Sequence, residues 1–186
     1  MMREILFRGK AANRNPHRQY RTKYKNGDWV FGMLTDPMNY AGFAEMTNTN
    51  GVSGIEVDKN TVGQFTGLYD STKWKDLTDA EKLDFYHKHY VGEDGMSVRF
   101  QNIDDVKHLW KGKKIFEGDI VRYTERRFGG EDVPVVNVVE FAEGGFAVRN
   151  YFLNHWLRDG LNGNIQMEGI EVIGNIHDNP ELLEGA

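Results

Sequence analysis

Histidine and carboxylate side chains in one short segment are the residues that could hold a metal ion. His87 and His89 are two residues apart, and His108 and Glu81 are near them in the sequence. Imidazole and carboxylate groups are common zinc ligands. On a helix, however, His87 and His89 lie about 200° apart, so only one can face a shared ion. Because neither His-x-x-x-His nor His-Glu-x-x-His occurs, we expect solvated histidines at a helix end and no metal site.

Other catalytic arrangements lack a sequence signal. The 186 residues include no cysteine, which excludes disulfides, thiolate zinc sites and a cysteine nucleophile. No glycine-rich phosphate loop follows a strand into a helix. The 28 acidic residues contain no pair whose spacing selects it for acid and base chemistry. We therefore expect no catalytic residues, no cofactor and no enzymatic activity.

Two groups of basic residues are candidates for binding nucleic acid. Single-stranded nucleic acid requires cations for its phosphates and aromatic rings for its bases, and aromatic residues are interleaved with the first group. A solvated loop is the alternative, because 23 basic against 28 acidic residues leave a net charge of −5. The candidates are Arg18, Arg21 and Lys23 in the first group, and Lys113, Lys114, Arg122, Arg126 and Arg127 in the second.

Aromatic residues also suggest a protein interface. Trp156 and Phe152 lie in an apolar but weakly patterned segment, Tyr151 to Leu157, and aromatic side chains are enriched at interfaces. Core packing is the alternative explanation for most of the four tryptophans. A homo-oligomer is thus a possible state of the protein.

Membrane association is not expected from the sequence. The amino terminus lacks the apolar run of a signal peptide, and no run of about 18 apolar residues could span a bilayer. The composition, 39% hydrophobic and 12% aromatic, suits a globular core. We expect a cytoplasmic protein.

The periodicity of apolar residues predicts a mostly β fold. The segment Val135 to Phe141 is apolar on both faces and is predicted to be a central strand, with a turn at Gly144 and a returning strand over Phe146 to Val148. Helix is predicted mainly between the strands, beginning with a capping box formed by Thr78 and Glu81.

The segment Gly112 to Tyr123 combines a turn, Glu117-Gly118-Asp119, with the start of a strand. Glycine permits the tight backbone path, and Asp119 is predicted to accept a hydrogen bond within the turn. The same Gly-Asp-x-Val pattern occurs where strands begin in SH3-like barrels. We therefore predict small, barrel-like antiparallel strands with a short helical insertion.

Five segments together resemble the YopX family of phage and prophage proteins. They are Met2 to Lys10, Gly27 to Gly32, Val62 to Asp70, Gly112 to Val121 and Val172 to Leu182. Two stretches depart from the family pattern, and we interpret residues 71–111 as a helical insertion and residues 11–25 as a smaller loop insertion within a single YopX-like domain covering 1–186.

The resemblance implies a mostly β fold and a phage or prophage context, but no catalytic residue. We expect a non-enzymatic module for protein interaction or assembly in the host cytoplasm, with a homo-oligomer or an unidentified phage or host protein as its partner. A module that binds nucleic acid through the basic groups remains the alternative.

Overall fold

The computed structural model describes residues 5–12, 24–37, 43–89, 100–127, 131–142, 144–148, 151–153 and 165–184. Eleven strands and one α-helix are placed in this part of the chain, together with short 3₁₀ helices. The strands are β1 Phe7–Lys10, β2 Trp29–Asp36, β3 Ala44–Asn48, β4 Ile55–Val57, β5 Gly63–Tyr69, β6 Lys114–Phe116, β7 Asp119–Arg127, β8 Val133–Ala142, β9 Gly145–Val148, β10 Tyr151–Phe152 and β11 Ile165–Asn175; the helix is α1 Asp79–His89. The 3₁₀ helices are Lys59–Thr61, Trp74–Asp76, Ile103–Leu109 and Pro180–Leu183.

The prediction of a mostly β, antiparallel fold is confirmed. Two antiparallel sheets are formed, with strand orders β4-β3-β2-β1-β5-β6 and β10-β9-β8-β7-β11. The first sheet curls so that Ala11, just after β1, forms a bridge with Val57 of β4. The predicted barrel is nevertheless wrong: within the described residues neither sheet closes, because a single bridge joins the curled strands and β6 extends the opposite edge.

The second sheet bears out the prediction for β8. This strand is central, since it pairs with β7 over its first half and with β9 over its second half. The turn at Gly144 leads into β9, as predicted. Val135 and Val139 are buried, whereas Phe141, on the same face by strand alternation, is 53% exposed near the hairpin end and packs edge-on against Phe146 at 5.1 Å.

Each sheet has its own main core. The core of the first sheet contains Ala11, Val30, Ala44, Met46, Ile55 and Val57. The core of the second contains Val121, Tyr123, Val135, Val139, Phe146, Val148, Leu153 and Ile170, and Ile115 of β6, from the first sheet, packs into it. A third, smaller cluster consists of Leu6, Phe65 and Phe116 on the opposite face of the first sheet. Both faces of the first sheet thus carry apolar residues.

Residues 71–111 contain α1 and two of the 3₁₀ helices. The division of the chain into a core and insertions remains a prediction. The Thr78 hydroxyl accepts a hydrogen bond from Glu81 N, and Glu81 Oε2 accepts one from Thr78 N at 2.8 Å, so the predicted capping box is confirmed. No residue of α1 is fully buried. Aromatic contacts hold the helix in place, since Phe85 packs against Trp74 and Trp110. No helix in the described part of the chain is long and apolar enough to cross a membrane.

Candidate functional site

The two sheets meet at a buried ion pair that the sequence reasoning missed. Arg8 of β1 approaches Asp119 at the start of β7, with 2.6 Å between Nη1 and Oδ1. The side chains are 9% and 2% exposed. Asp119 Oδ2 accepts a hydrogen bond from Phe116 N at 2.7 Å, which confirms its predicted role in the turn. Arg8 also donates to the Glu117 carbonyl at 3.2 Å. A charge at this depth requires such partners.

Burial raises the pKa of Asp119, and the neighbouring Arg8 guanidinium and the Phe116 N–H oppose that rise. A carboxylate held in this way is inaccessible to solvent and already satisfied by its partners. Asp119 and Arg8 therefore serve to join the sheets.

The same Gly-Asp turn occurs twice in the chain. Gly27 and Gly118 both have positive φ values, +88° and +80°. In each case the following aspartate accepts a hydrogen bond from the N–H three residues earlier: Asp28 from Lys25 at 2.7 Å, and Asp119 from Phe116. Asp28 is exposed, whereas Asp119 is buried beside Arg8. Only the turn at Asp119 therefore helps to join the two sheets.

Trp29, at the start of β2, lies among cations and carboxylates from three segments. The guanidinium carbon of Arg8 lies 4.8 Å from its ring centroid, and Lys10 Nζ lies 5.4 Å away. Its indole N–H donates to Asp178 Oδ2 at 2.8 Å, while Lys10 forms an ion pair with Asp178 Oδ1. The ring of His177 packs at a tilt, 6.1 Å away. The turn after β11 is thereby bound to the first sheet.

Two titratable groups in this turn have altered pKa values. Partial burial, and then the nearby charges of Lys10 and Arg8, lower the pKa of His177. Although burial opposes the change, hydrogen bonds from Lys10, Asn175 and Trp29 lower the pKa of Asp178 to about 2.

A second junction is built around Asp70, at the end of β5. Its Oδ1 accepts hydrogen bonds from Lys113 N at 2.7 Å and Thr72 N at 3.0 Å. Its Oδ2 accepts from Thr72 Oγ1 at 2.7 Å and from Val172 N, in β11, at 3.1 Å. One buried carboxylate thus connects the two sheets again, which explains why an aspartate follows Tyr69.

The predicted basic residues that the structure describes each contact another side chain of this protein, and their binding role stays a prediction. Lys113 forms an ion pair with Glu81 of α1 at 2.9 Å, and Arg122 pairs with Glu171 of β11 at 2.6 Å. Lys114 lies over the Phe65 ring at 4.9 Å. Arg18, Arg21 and Lys23 lie outside the described residues, as do the side chains of Arg126 and Arg127.

The predicted interface residues are not described either. Trp156 lies outside the described residues, and Phe152 belongs to β10 with its side chain not described. In the described ranges, no group of three or more histidine, aspartate or glutamate side chains is arranged to hold a metal ion.

Exposed apolar side chains do occur on one face of β2. Side chains alternate across a strand, so Trp29, Phe31 and Met33 share a face, which we name the outer β2 face. Phe31 and Met33 are 40% and 63% exposed, while Val30, between Trp29 and Phe31, is buried. Phe31 packs edge-on against Phe116 at 5.7 Å. Strand alternation alone puts these residues on one side, but it does not determine which side of the strand stays uncovered.

The comparisons with known proteins give one family match. Its two antiparallel sheets are joined where the predicted YopX-like segments meet: Arg8 and Lys10, Trp29, Asp70, Asp119 and Asp178 represent all five. The YopX protein family model matches residues 110–184, which confirms the predicted YopX-like resemblance over that part of the chain. No curated protein and no solved structure matches the chain.

Acid is expected to weaken the contacts that Asp178, in the turn after β11, makes with the first sheet. The folded-state pKa of Asp178 is about 2, below its ordinary value of 3.8, so its contribution to stability is complete above pH 3.8 and is lost as the pH falls towards 2. Because the side chain is 38% exposed, solvent screening limits the loss to about 1 kcal/mol or less. Urea denaturation of wild type and Asp178→Asn between these pH values measures this: the difference in stability should shrink with acid, and a constant difference would contradict it.

Proposed function

We propose that this YopX-like protein is a non-enzymatic assembly module that acts in phage or prophage biology in the host cytoplasm and self-associates through the outer β2 face. The observation that carries the proposal is the exposure of Phe31 and Met33 side by side on a paired strand inside a sheet. Such residues are costly to leave in water and are enriched where proteins meet.

The rigidity of the face supports this proposal. Strand β2 pairs with β1 on one side and with β3 on the other, so its side chains are held in place before any partner binds. Phe31 rests on Phe116, which is buried. A preorganised face loses little entropy on binding. An apolar row of this kind can also face its own copy across a two-fold axis, because such an interface is self-complementary.

The charges beside the face also permit contact between two copies. The cations nearest to it, Arg8 and Lys10, are each paired within the chain, with Asp119 and Asp178. The chain carries a net charge of −5, which disfavours close approach of two copies in general. Because Arg8 and Lys10 are paired in this way, they add no repulsion of their own between two copies.

The size of the face determines how tight the association should be. A stable dimer needs about 800 Å² of buried surface on each partner. Two partly exposed side chains supply only a fraction of this, so we expect a weak dimer whose population depends on concentration. Partners other than a second copy, such as a phage or host protein, would add area of their own.

The expected result for the outer β2 face is a change in molecular mass. The mass of wild type in light scattering should rise with protein concentration, and Phe31→Ser and Met33→Ser should each shift that rise to higher concentration by about tenfold, since each removes apolar contact area. Leu83→Ser is the matched control, because Leu83 is 44% exposed but lies on α1.

Two outcomes would contradict the proposal. A wild type that stays monomeric at every concentration contradicts self-association. Equal effects of Leu83→Ser and Met33→Ser would show that general hydrophobicity, and not this face, drives it. Met33 has the higher exposure of the two face residues, so Met33→Ser keeps the test valid if Phe31→Ser lowers stability.

Nucleic-acid binding is the second candidate function. The observation that favours it is a lysine above each of two rings at the β5–β6 edge: Lys114 over Phe65 at 4.9 Å and Lys111 over Tyr69 at 5.8 Å. Against it, Phe65 is buried and its ring is already covered. Titration of labelled single-stranded DNA at two salt concentrations separates the candidates, because phosphate binding weakens steeply with salt and apolar association does not.

A further inference from the structure

The turn after β11 contacts the same strand that carries the outer β2 face. Ile176 N donates to the Gly118 carbonyl at 3.0 Å, which fixes the start of the turn against the β6–β7 connection. Asp178 then reaches β1 and β2, where it binds Lys10 and the Trp29 indole N–H. We name residues 176–178 the carboxy-terminal turn.

Trp29 is the member of the outer β2 face that this turn occupies. It stands two residues before Phe31, so its ring belongs to the same apolar row. Its polar edge is bonded to Asp178, His177 packs against it, and Lys10 lies over the ring. Tryptophan is among the residues that contribute most to protein interfaces. Here the Trp29 side chain makes its contacts with Asp178 and His177 of the same chain.

We infer that the carboxy-terminal turn is an autoinhibitory contact: it binds Trp29 and so limits the outer β2 face to Phe31 and Met33. When the turn is released, the Trp29 indole joins Phe31 and Met33 as a contact residue, and self-association becomes stronger. This inference rests on the proposed self-association of the same face.

The contacts that hold the turn are suited to opening. Asp178 is partly exposed, and the 3₁₀ helix that follows, Pro180–Leu183, contains no buried residue. Segments with few buried apolar contacts open at low cost compared with the core. Arg8 also lies 4.8 Å from the Trp29 ring centroid, but its buried ion pair with Asp119 does not involve the turn, so the sheets stay joined when the turn opens.

Asp178→Ala tests the inference, because it removes the acceptor for both Trp29 and Lys10. Sedimentation analysis should give a dimer dissociation constant about tenfold lower than that of wild type, the effect of one well-placed aromatic contact. Adding Trp29→Ala to Asp178→Ala should abolish the gain. Glu171→Gln, which removes an exposed ion pair with Arg122 on the second sheet, should leave the constant unchanged.

Hydrogen exchange supplies a second readout. Exchange of the amides of residues 176–178 should accelerate in Asp178→Ala while β7 and β8 stay protected, which separates release of the turn from unfolding. Trp29→Phe keeps an aromatic ring but removes the N–H donor, and it should also accelerate exchange in the turn.

The outcomes distinguish this inference from the proposed function. If wild type associates and Asp178→Ala does not tighten the dimer although its turn exchanges faster, the autoinhibitory contact is overturned and self-association stands. If wild type is monomeric and Asp178→Ala dimerises, self-association of the wild type is overturned, while the autoinhibitory contact stands. If neither associates at any concentration, both ideas are overturned.

Discussion

Asp119→Ala is expected to lower the free energy of unfolding by about 3–5 kcal/mol, because it leaves the Arg8 guanidinium buried without its carboxylate. The side chain of Arg8 is only 9% exposed and approaches Asp119 at 2.6 Å, so water cannot replace the lost partner. The substitution also removes the acceptor for Phe116 N. Denaturation in urea, followed by circular dichroism, measures the loss.

Asp28→Ala is the matched control for Asp119→Ala. Asp28 follows a glycine of positive φ and accepts the N–H of the third residue before it, as Asp119 does, but it is exposed. Its replacement should cost about 1 kcal/mol, the contribution of one hydrogen bond. Adding Arg8→Met to Asp119→Ala should recover part of the loss, because it removes the uncompensated charge. Equal losses at the two aspartates would show that the ion pair is not the cause.

Gly112→Ala is expected to destabilise the protein by about 3–5 kcal/mol. Gly112 has a φ of +111°, a conformation that L-residues with side chains rarely adopt. A β-carbon there would lie 2.1 Å from the backbone oxygen of Asp70, whose side chain joins the two sheets. Backbone strain and steric overlap each cost about 1–3 kcal/mol. Denaturation in urea measures the sum.

Gly144→Ala separates the two contributions to the Gly112 effect. Gly144 also has a positive φ, +83°, but no atom lies within 4 Å of the position of its β-carbon. Strain alone should cost about 1–2 kcal/mol there. If Gly112→Ala costs no more than Gly144→Ala, close approach to Asp70 does not constrain the connection before β6.

Several elements could be predicted because their signals are local. A run that is apolar on both faces identified β8 as a central strand, and the glycines at 144 and 145 identified the hairpin. The spacing of Thr78 and Glu81 located the start of α1, since a capping box involves only four consecutive residues. The turn role of Asp119 was predictable for the same reason.

Other features could not be predicted, because they depend on residues distant in the sequence. Arg8 shows no local sign that it pairs with Asp119, and Asp70 shows none that it accepts a hydrogen bond from Val172. The ion pairs of the basic residues were not predictable either. Lys113 and Arg122 were predicted as parts of one binding group, and the structure pairs them with acidic side chains of α1 and β11.

The sequence by itself determined the class of fold, the main turns and the YopX-like resemblance, because periodicity, glycine positions and short motifs are properties of neighbouring residues. Only the tertiary structure decided what those motifs do together. It brought Arg8, Trp29, Asp119 and Asp178 to one junction, and it left Phe31 and Met33 exposed. Which charges are neutralised and which apolar faces stay in water depends on the packing of whole sheets, and that packing is settled by contacts between distant parts of the chain.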